Sequence, residues 1–231
     1  MDVKTMLTDA LKRGQKALSE YDSKRLLAAY GIPVTREGLA SDEDQAAALA
    51  AEIGWPVVLK GCGAELMHKS EGGWVELNLR DEQDVRAAYK RIAGSGARGL
   101  EGVLVQEMAP GQRELVLGLS RDPQFGPCVM LGLGGIFTEL IKDTVFRMAP
   151  LDLVEARDMT EEFRSKAILG AFRGQKPADI QTLCRSLIAV GRIGLELDEV
   201  GEIDVNPMIV DPRGGLKAVD ALVVLKRAED A

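Results

Sequence analysis

Apolar and polar positions change period several times along the chain, and each change marks an element. The opening MDVKTMLTDALKRG repeats apolar residues at helical spacing and predicts an amphipathic N-terminal helix. The helical period returns over residues 19–30, where Ser19 and Asp22 stand in capping-box spacing and Gly31 and Pro33 stop the run. Ser41 and Asp44 repeat the start signal before an Ala-rich helix that Gly54 ends. WPVVLK, residues 55–60, is a short apolar run of the kind that forms a buried strand, and residues 74–79 alternate with period two as a second strand. Val85, Ala88, Tyr89 and Ile92 predict a helix over 81–93.

From residue 102 the pattern shifts to strands: VLVQEM, ELVLGLS, a turn at RDPQFGP, CVMLGL and a further strand over 143–148. Helical periodicity covers 152–172 and 177–194, and two strands over 202–210 and 216–225 close the chain. Alternating helices and strands followed by a meander, two helices and a hairpin predict an α+β fold of two lobes. The expected division is an N-terminal helix over 1–18, one lobe over 19–100 and a second over 101–231.

Composition narrows the functional classes. With 231 residues, 46% hydrophobic and 28% charged, the chain is an ordinary globular sequence able to bury a core unaided. A net charge of −7 speaks against broad nucleic-acid or anionic-membrane binding, while leaving room for a local phosphate pocket. No apolar run approaches the about 20 residues needed to span a bilayer, and the N-terminus lacks a signal-peptide pattern, so a cytoplasmic protein is expected. Cys62, Cys128 and Cys184 are widely spaced and offer no zinc or disulfide frame; they are expected to be buried thiols.

Gly94-Ser-Gly96-Ala-Arg-Gly99 matches the dinucleotide fingerprint but follows a helix and leads into a strand, the wrong context for phosphate binding, and no GxxxxGK[ST] loop exists. Nucleotide chemistry must come from elsewhere. Lys60 ends a buried strand, where an ammonium can reach a ligand crevice, and Gly72-Gly73 forms a turn whose backbone can approach phosphate oxygens. The plainer alternative is a surface lysine and a hairpin turn. His68, the sole histidine, lies between them and is suited to carry a phosphoryl group.

In GEIDVNP, Glu202, Asp204 and Asn206 share one strand face. A turn centred on Arg213 brings Asp220 opposite Asn206, so three carboxylates and an amide form a hard-oxygen site suited to Mg²⁺. The alternative is a solvated hairpin face, against which stands the charge of Asp220 within the apolar run AVDALVVL. Gln106, Glu107 and Glu114 would bring polar groups beside a ribose or a metal-bound phosphate. Arg147, in the apolar strand FRMAP, is expected to pair with Glu139 or contact phosphate.

Taken together, YDSKRLLAAYGIPV, WPVVLK, MHKSEGGWVELNL, LVQEM, ELVLGLSRDPQFGP, LGLGGIFTEL, FRMAPL and GEIDVNPMIV resemble the ATP-grasp beta subunit of ADP-forming acyl-CoA synthetases, and more distantly the nucleotide subunit of succinyl-CoA synthetase. The resemblance runs over residues 19–225. It implies an ATP-grasp fold with ATP or ADP between two lobes and adenine near LVQEM. Lys60 would contact phosphate, and Asn206 and Asp220 would hold Mg²⁺, with Asp204 beside them. His68 would be a second phosphohistidine position. Arg147 is taken as a further catalytic candidate from its strand context alone. The resemblance also implies a separate CoA-binding alpha subunit, in a heterotetramer. The alternatives are a stand-alone ATP-grasp carboxylate ligase and a non-catalytic nucleotide-sensing module.

Overall fold

A computed structural model describes residues 2–64, 66, 74–135 and 143–226. The amphipathic start folds as α1 (Val3–Lys12), and α2 (Glu20–Ala29) begins where the Ser19 hydroxyl accepts from the Asp22 N–H. A four-residue strand that the sequence pattern did not announce, β1 (Glu37–Ala40), precedes α3 (Glu43–Ile53). The cap of α3 is displaced by one residue from the Ser41–Asp44 expectation. Asp42 accepts from the Gln45 N–H, and the Gln45 side chain reaches back to the Ser41 N–H. There follow β2 (Val57–Cys62), β3 (Val75–Leu79), α4 (Glu82–Ala93) and β4 (Gly102–Glu107). Residues 94–101 connect α4 to β4, the context in which the glycine-rich match is only a loop.

These four strands form an antiparallel sheet in the order β1-β4-β2-β3, with α3 and α4 packed on one face. Val57 and Leu59 of β2 and Val103 and Val105 of β4 join Ala46, Ala50, Val85, Ala88 and Ile92 in its core. The period of two then turns Val58 and Lys60, together with Leu104 and Gln106, onto the opposite face.

The second sheet is built from β5 (Arg113–Asp122), β6 (Gly126–Leu133) and β7 (Thr144–Met148), then, beyond α5 (Leu153–Glu162) and α6 (Ile180–Glu196), from β8 (Val200–Val210), β9 (Leu216–Ala218) and β10 (Ala221–Leu225). Its order is β10-β8-β5-β6-β7, with β9 also on β8. The helix expected over 152–172 stops early because Phe163 leaves helical backbone and is fully buried. The Asp143 carboxylate then takes the Arg164 and Ser165 N–H groups, and only a 3-10 turn, Lys166–Leu169, follows.

One core joins Met6, Leu7, Leu26, Leu27 and Ile32 to the buried faces of β5, β6, β8 and α6. The seam expected near residue 100 therefore lies elsewhere. β4 belongs to the first sheet and α1 and α2 to the second core, so the first lobe spans β1 to β4 and the chain's first third begins in the other lobe. Among the thiols, Cys62 and Cys184 are buried as expected and Cys128 is only half-buried.

Candidate functional site

The hairpin of β8 with β9 and β10 keeps the predicted register. Met208 faces Ala218 and Val210 faces Leu216, and beyond the break at 219–220 Ala221 faces Val205, Leu222 faces Asp204 and Val224 faces Glu202. Asn206 and Asp220 stand opposite, joined by a backbone hydrogen bond from the Asn206 N–H to the Asp220 carbonyl at 3.1 Å. Toward β5, Leu115 pairs with Met208 and Leu117 with Val205, so Asn206 and Pro207 together oppose Val116. This bulge lets Val205 and Met208 both stay in the core while Asn206 points out with Asp204.

The open face of the second sheet thus carries Asp204 and Asn206, and the inner face of the first carries Lys60 and Gln106. Between them runs a buried charge network that the sequence reading did not include. One oxygen of Glu20, Oε1, accepts from Lys24 Nζ at 2.9 Å and from Lys60 Nζ at 2.8 Å. The Val219 carbonyl accepts from the same two ammonium groups at 3.1 and 3.2 Å. Lys24 Nζ also donates to Gln106 Oε1 at 2.8 Å and pairs with Glu37, and Lys60 Nζ lies 3.9 Å from Asp220. The i,i+4 spacing of Glu20 and Lys24 was visible in the sequence, but such a pair reads as an exposed helix face. Here both side chains are 1% exposed.

Burial works against the charge of Lys60, but Glu20 and Asp220, with Glu37, outweigh it and hold its pKa above the ordinary lysine value. Burial pushes Glu37 up against the opposing pull of Lys24. Asp204, accessible along one side, is raised by partial burial and by the neighbouring charge of Asp220. Two carboxylates close enough to repel, with an amide oxygen on the same face, are a donor set of the kind Mg²⁺ takes together with nucleotide phosphates.

Glu202 is not drawn in. Among the described residues no group of three or more His, Cys, Asp or Glu side chains gathers to hold a metal, so the expected three carboxylates reduce to Asp204 and Asp220. Asp220 is also less embedded than its apolar surroundings suggested, with its side chain 41% exposed at the gap between β9 and β10.

The other expected residues fall into place unequally. Glu107 ends β4 at a cavity of about 350 Å³ lined also by Ala109, Pro110, Ile209, Asp211 and Lys217. Burial would raise its pKa, but hydrogen bonds from Lys217 and Arg36 hold it below the usual range. Glu114 faces Ile209 on the open side of the sheet and packs against Gly134 and Gly135.

Arg147 does not join the site. The row Leu222, Asp204, Gly118, Met130, Phe146 lies on the open face, whereas Arg147 continues the row Ile203, Leu119, Val129 on the helix-covered face and pairs with Glu162 of α5 rather than Glu139. His68, Gly72, Gly73 and Glu139 lie outside the described residues.

A model of the ATP-grasp domain family matches residues 9–225. The beta subunit of acetate–CoA ligase [ADP-forming] I of Pyrococcus furiosus is 38% identical over 224 residues, covering 95% of this chain and 96% of that subunit. Acetyl-coenzyme A synthetase 1 of Ca. Korarchaeum cryptofilum, solved with coenzyme A and Ca-AMPCP, superposes with a TM-score of 0.92 at 45% identity over 97% of this chain and 100% of that one. The same enzyme with coenzyme A and Mg-AMPPCP, its phosphohistidine segment pointing towards the nucleotide binding site, gives a TM-score of 0.87 at 44% identity over the same shares. The chain therefore belongs to the ATP-grasp family, among the beta subunits of ADP-forming acetate–CoA ligases.

Proposed function

We propose that the chain is the nucleotide-binding subunit of an ADP-forming acyl-CoA synthetase, which with a CoA-binding alpha subunit converts acyl-CoA, ADP and phosphate into acid, CoA and ATP. The observation that carries this is the meeting, where the two lobes join, of the Lys60 ammonium with the face holding Asp204, Asn206 and Asp220. Lys60 supplies the fixed positive charge for the phosphates of ADP. Asn206 and Asp220, with Asp204 beside them, hold Mg²⁺, whose part when bound is to neutralise and orient those phosphates.

The cavity beside Glu107 suits the purine and ribose, with Glu107 and Glu114 as polar contacts and Gln106 braced from behind by Lys24. Gly72 and Gly73 supply backbone N–H groups to the phosphates. His68 receives the phosphoryl group from a histidine of the partner and returns it to ADP: the N–P bond breaks as the terminal O–P bond of ATP forms. The assembly is a cytoplasmic heterotetramer. No helix among the described residues is long and apolar enough to cross a membrane.

Calorimetry of ADP binding at saturating Mg²⁺ tests the site. Lys60→Ala is expected to weaken affinity about tenfold or more, the scale of a charge-assisted hydrogen bond. Asp220→Asn and Asn206→Ala are expected to abolish the dependence on Mg²⁺. Wild-type affinity in Lys60→Ala, or wild-type Mg²⁺ dependence in both other variants, would move the site elsewhere.

A further inference from the structure

Lys60 and Asp220 are oppositely charged neighbours, yet their 3.9 Å separation is beyond a hydrogen bond. The ammonium is instead drawn to Glu20 Oε1 at 2.8 Å and the Val219 carbonyl at 3.2 Å. Glu20 heads α2, which packs in the second core, while Lys60 belongs to the first sheet; the contact therefore spans the seam between lobes. We propose that Glu20 is a positioning residue that keeps Lys60 from closing onto Asp220, so that the ammonium remains presented to phosphate and the carboxylate to a divalent cation. The inference rests on the reading of Lys60 and Asp220 as phosphate- and metal-binding groups.

Charge and geometry both support it. Inside the network Lys24 and Lys60 are balanced by Glu20 and Glu37, whose side chains are at most 6% exposed, so the ammonium of Lys60 is matched without Asp220. Lys24 holds the same Glu20 oxygen and is itself fixed by Gln106 and Thr35, which orients the carboxylate that two cations share. Without the charge of Glu20, Lys60 would stay buried beside Lys24 with Asp220 as the nearest remaining anion among the described residues. A buried ammonium moves to the anion it can reach. Collapse onto Asp220 would then remove a phosphate contact and occupy a metal ligand in one step.

A double-mutant cycle on the full chain separates this role from a structural one. ADP affinity and its Mg²⁺ dependence are measured by calorimetry for wild type, Glu20→Gln, Lys60→Ala and the double variant. Glu20→Gln is expected to weaken ADP binding about tenfold and to raise the Mg²⁺ concentration for half-maximal binding, and to have no further effect once Lys60 is alanine. An equal loss in both backgrounds marks Glu20 as merely structural and overturns the proposal. So does wild-type affinity in Glu20→Gln while Lys60→Ala is impaired. Wild-type affinity in Lys60→Ala overturns the parent reading along with it. If Glu20→Gln does not fold, Glu20→Asp, which keeps the charge but withdraws it by one methylene, is put through the same cycle under the same criteria.

Discussion

Lys24 is fully enclosed, and nothing in EYDSKRLLAA marks it, because a lysine at helical spacing reads as solvated until its surroundings are known. Asp204, Asn206 and Asp220 were legible for the opposite reason: a period of two and a centred turn fix which residues share a face without tertiary knowledge. Arg147 failed the same reasoning because its face depends on register carried across β8, β5 and β6, which no local pattern contains. The acid pair has a pH consequence. In the folded chain Asp204 binds its proton more tightly than an ordinary carboxyl does. The stability this contributes is present below the unfolded pKa and is lost as pH rises through the folded one. Asp204→Asn is therefore expected to raise the thermal midpoint of the ligand-free chain at neutral pH, with the advantage fading in acid. Mg²⁺ needs the ionised form, so its stabilisation of wild type should grow over the interval in which that advantage appears. Equal midpoints for variant and wild type at pH 7, by scanning calorimetry, would refute the repulsion between Asp204 and Asp220.

At the scale of elements, helices and long strands followed from periodicity, while β1 did not. Its EGLA is too short to alternate, and it exists because Leu39 and Gly38 find partners on β4 and Gly38 leaves room for Leu49. The truncation of α5 was equally hidden, since it depends on Asp143 receiving the N–H groups of residues 21 and 22 positions later. The start of α5 is a purely local device. The Asp152 carboxylate accepts from the Val154 and Glu155 N–H groups, and the Glu155 side chain accepts from the Asp152 N–H. Asp152→Ala is expected to cost about 1 kcal/mol in urea unfolding with an unchanged slope. Because α5 packs behind the sheet, on the side of Arg147 and away from Asp204, ADP affinity should stay at the wild-type value. A variant that lost affinity while remaining folded would show that α5 bears on the cleft.

At the scale of the whole molecule, sequence order misplaced the seam because the chain starts in one lobe, builds the other and returns; only the two cores reveal it. The return has a purpose in the cleft, since α2 carries Glu20 and Lys24 to the junction that the hairpin closes with Val219 and Asp220. Relatives of this length are named as beta subunits, which implies an alpha partner. On the proposed function, a phosphoryl group crosses from that partner to the junction of the two lobes. His68 is the sole imidazole of the chain, and it lies in sequence between Lys60 and the pair Gly72-Gly73. A nitrogen-bound phosphoryl group is labile in water, and a site closed between two lobes would shield it. The chain alone is therefore expected to catalyse at most partial ATP–ADP exchange, with acid-labile, base-stable phosphate on His68. His68→Ala should lose that label and the ATP formed when the alpha subunit is added, while keeping wild-type ADP affinity by calorimetry, because the proposed function assigns binding to Lys60 and the hairpin acids. Full acyl-CoA synthetase activity from the chain by itself, or from the His68→Ala complex, would end the relay.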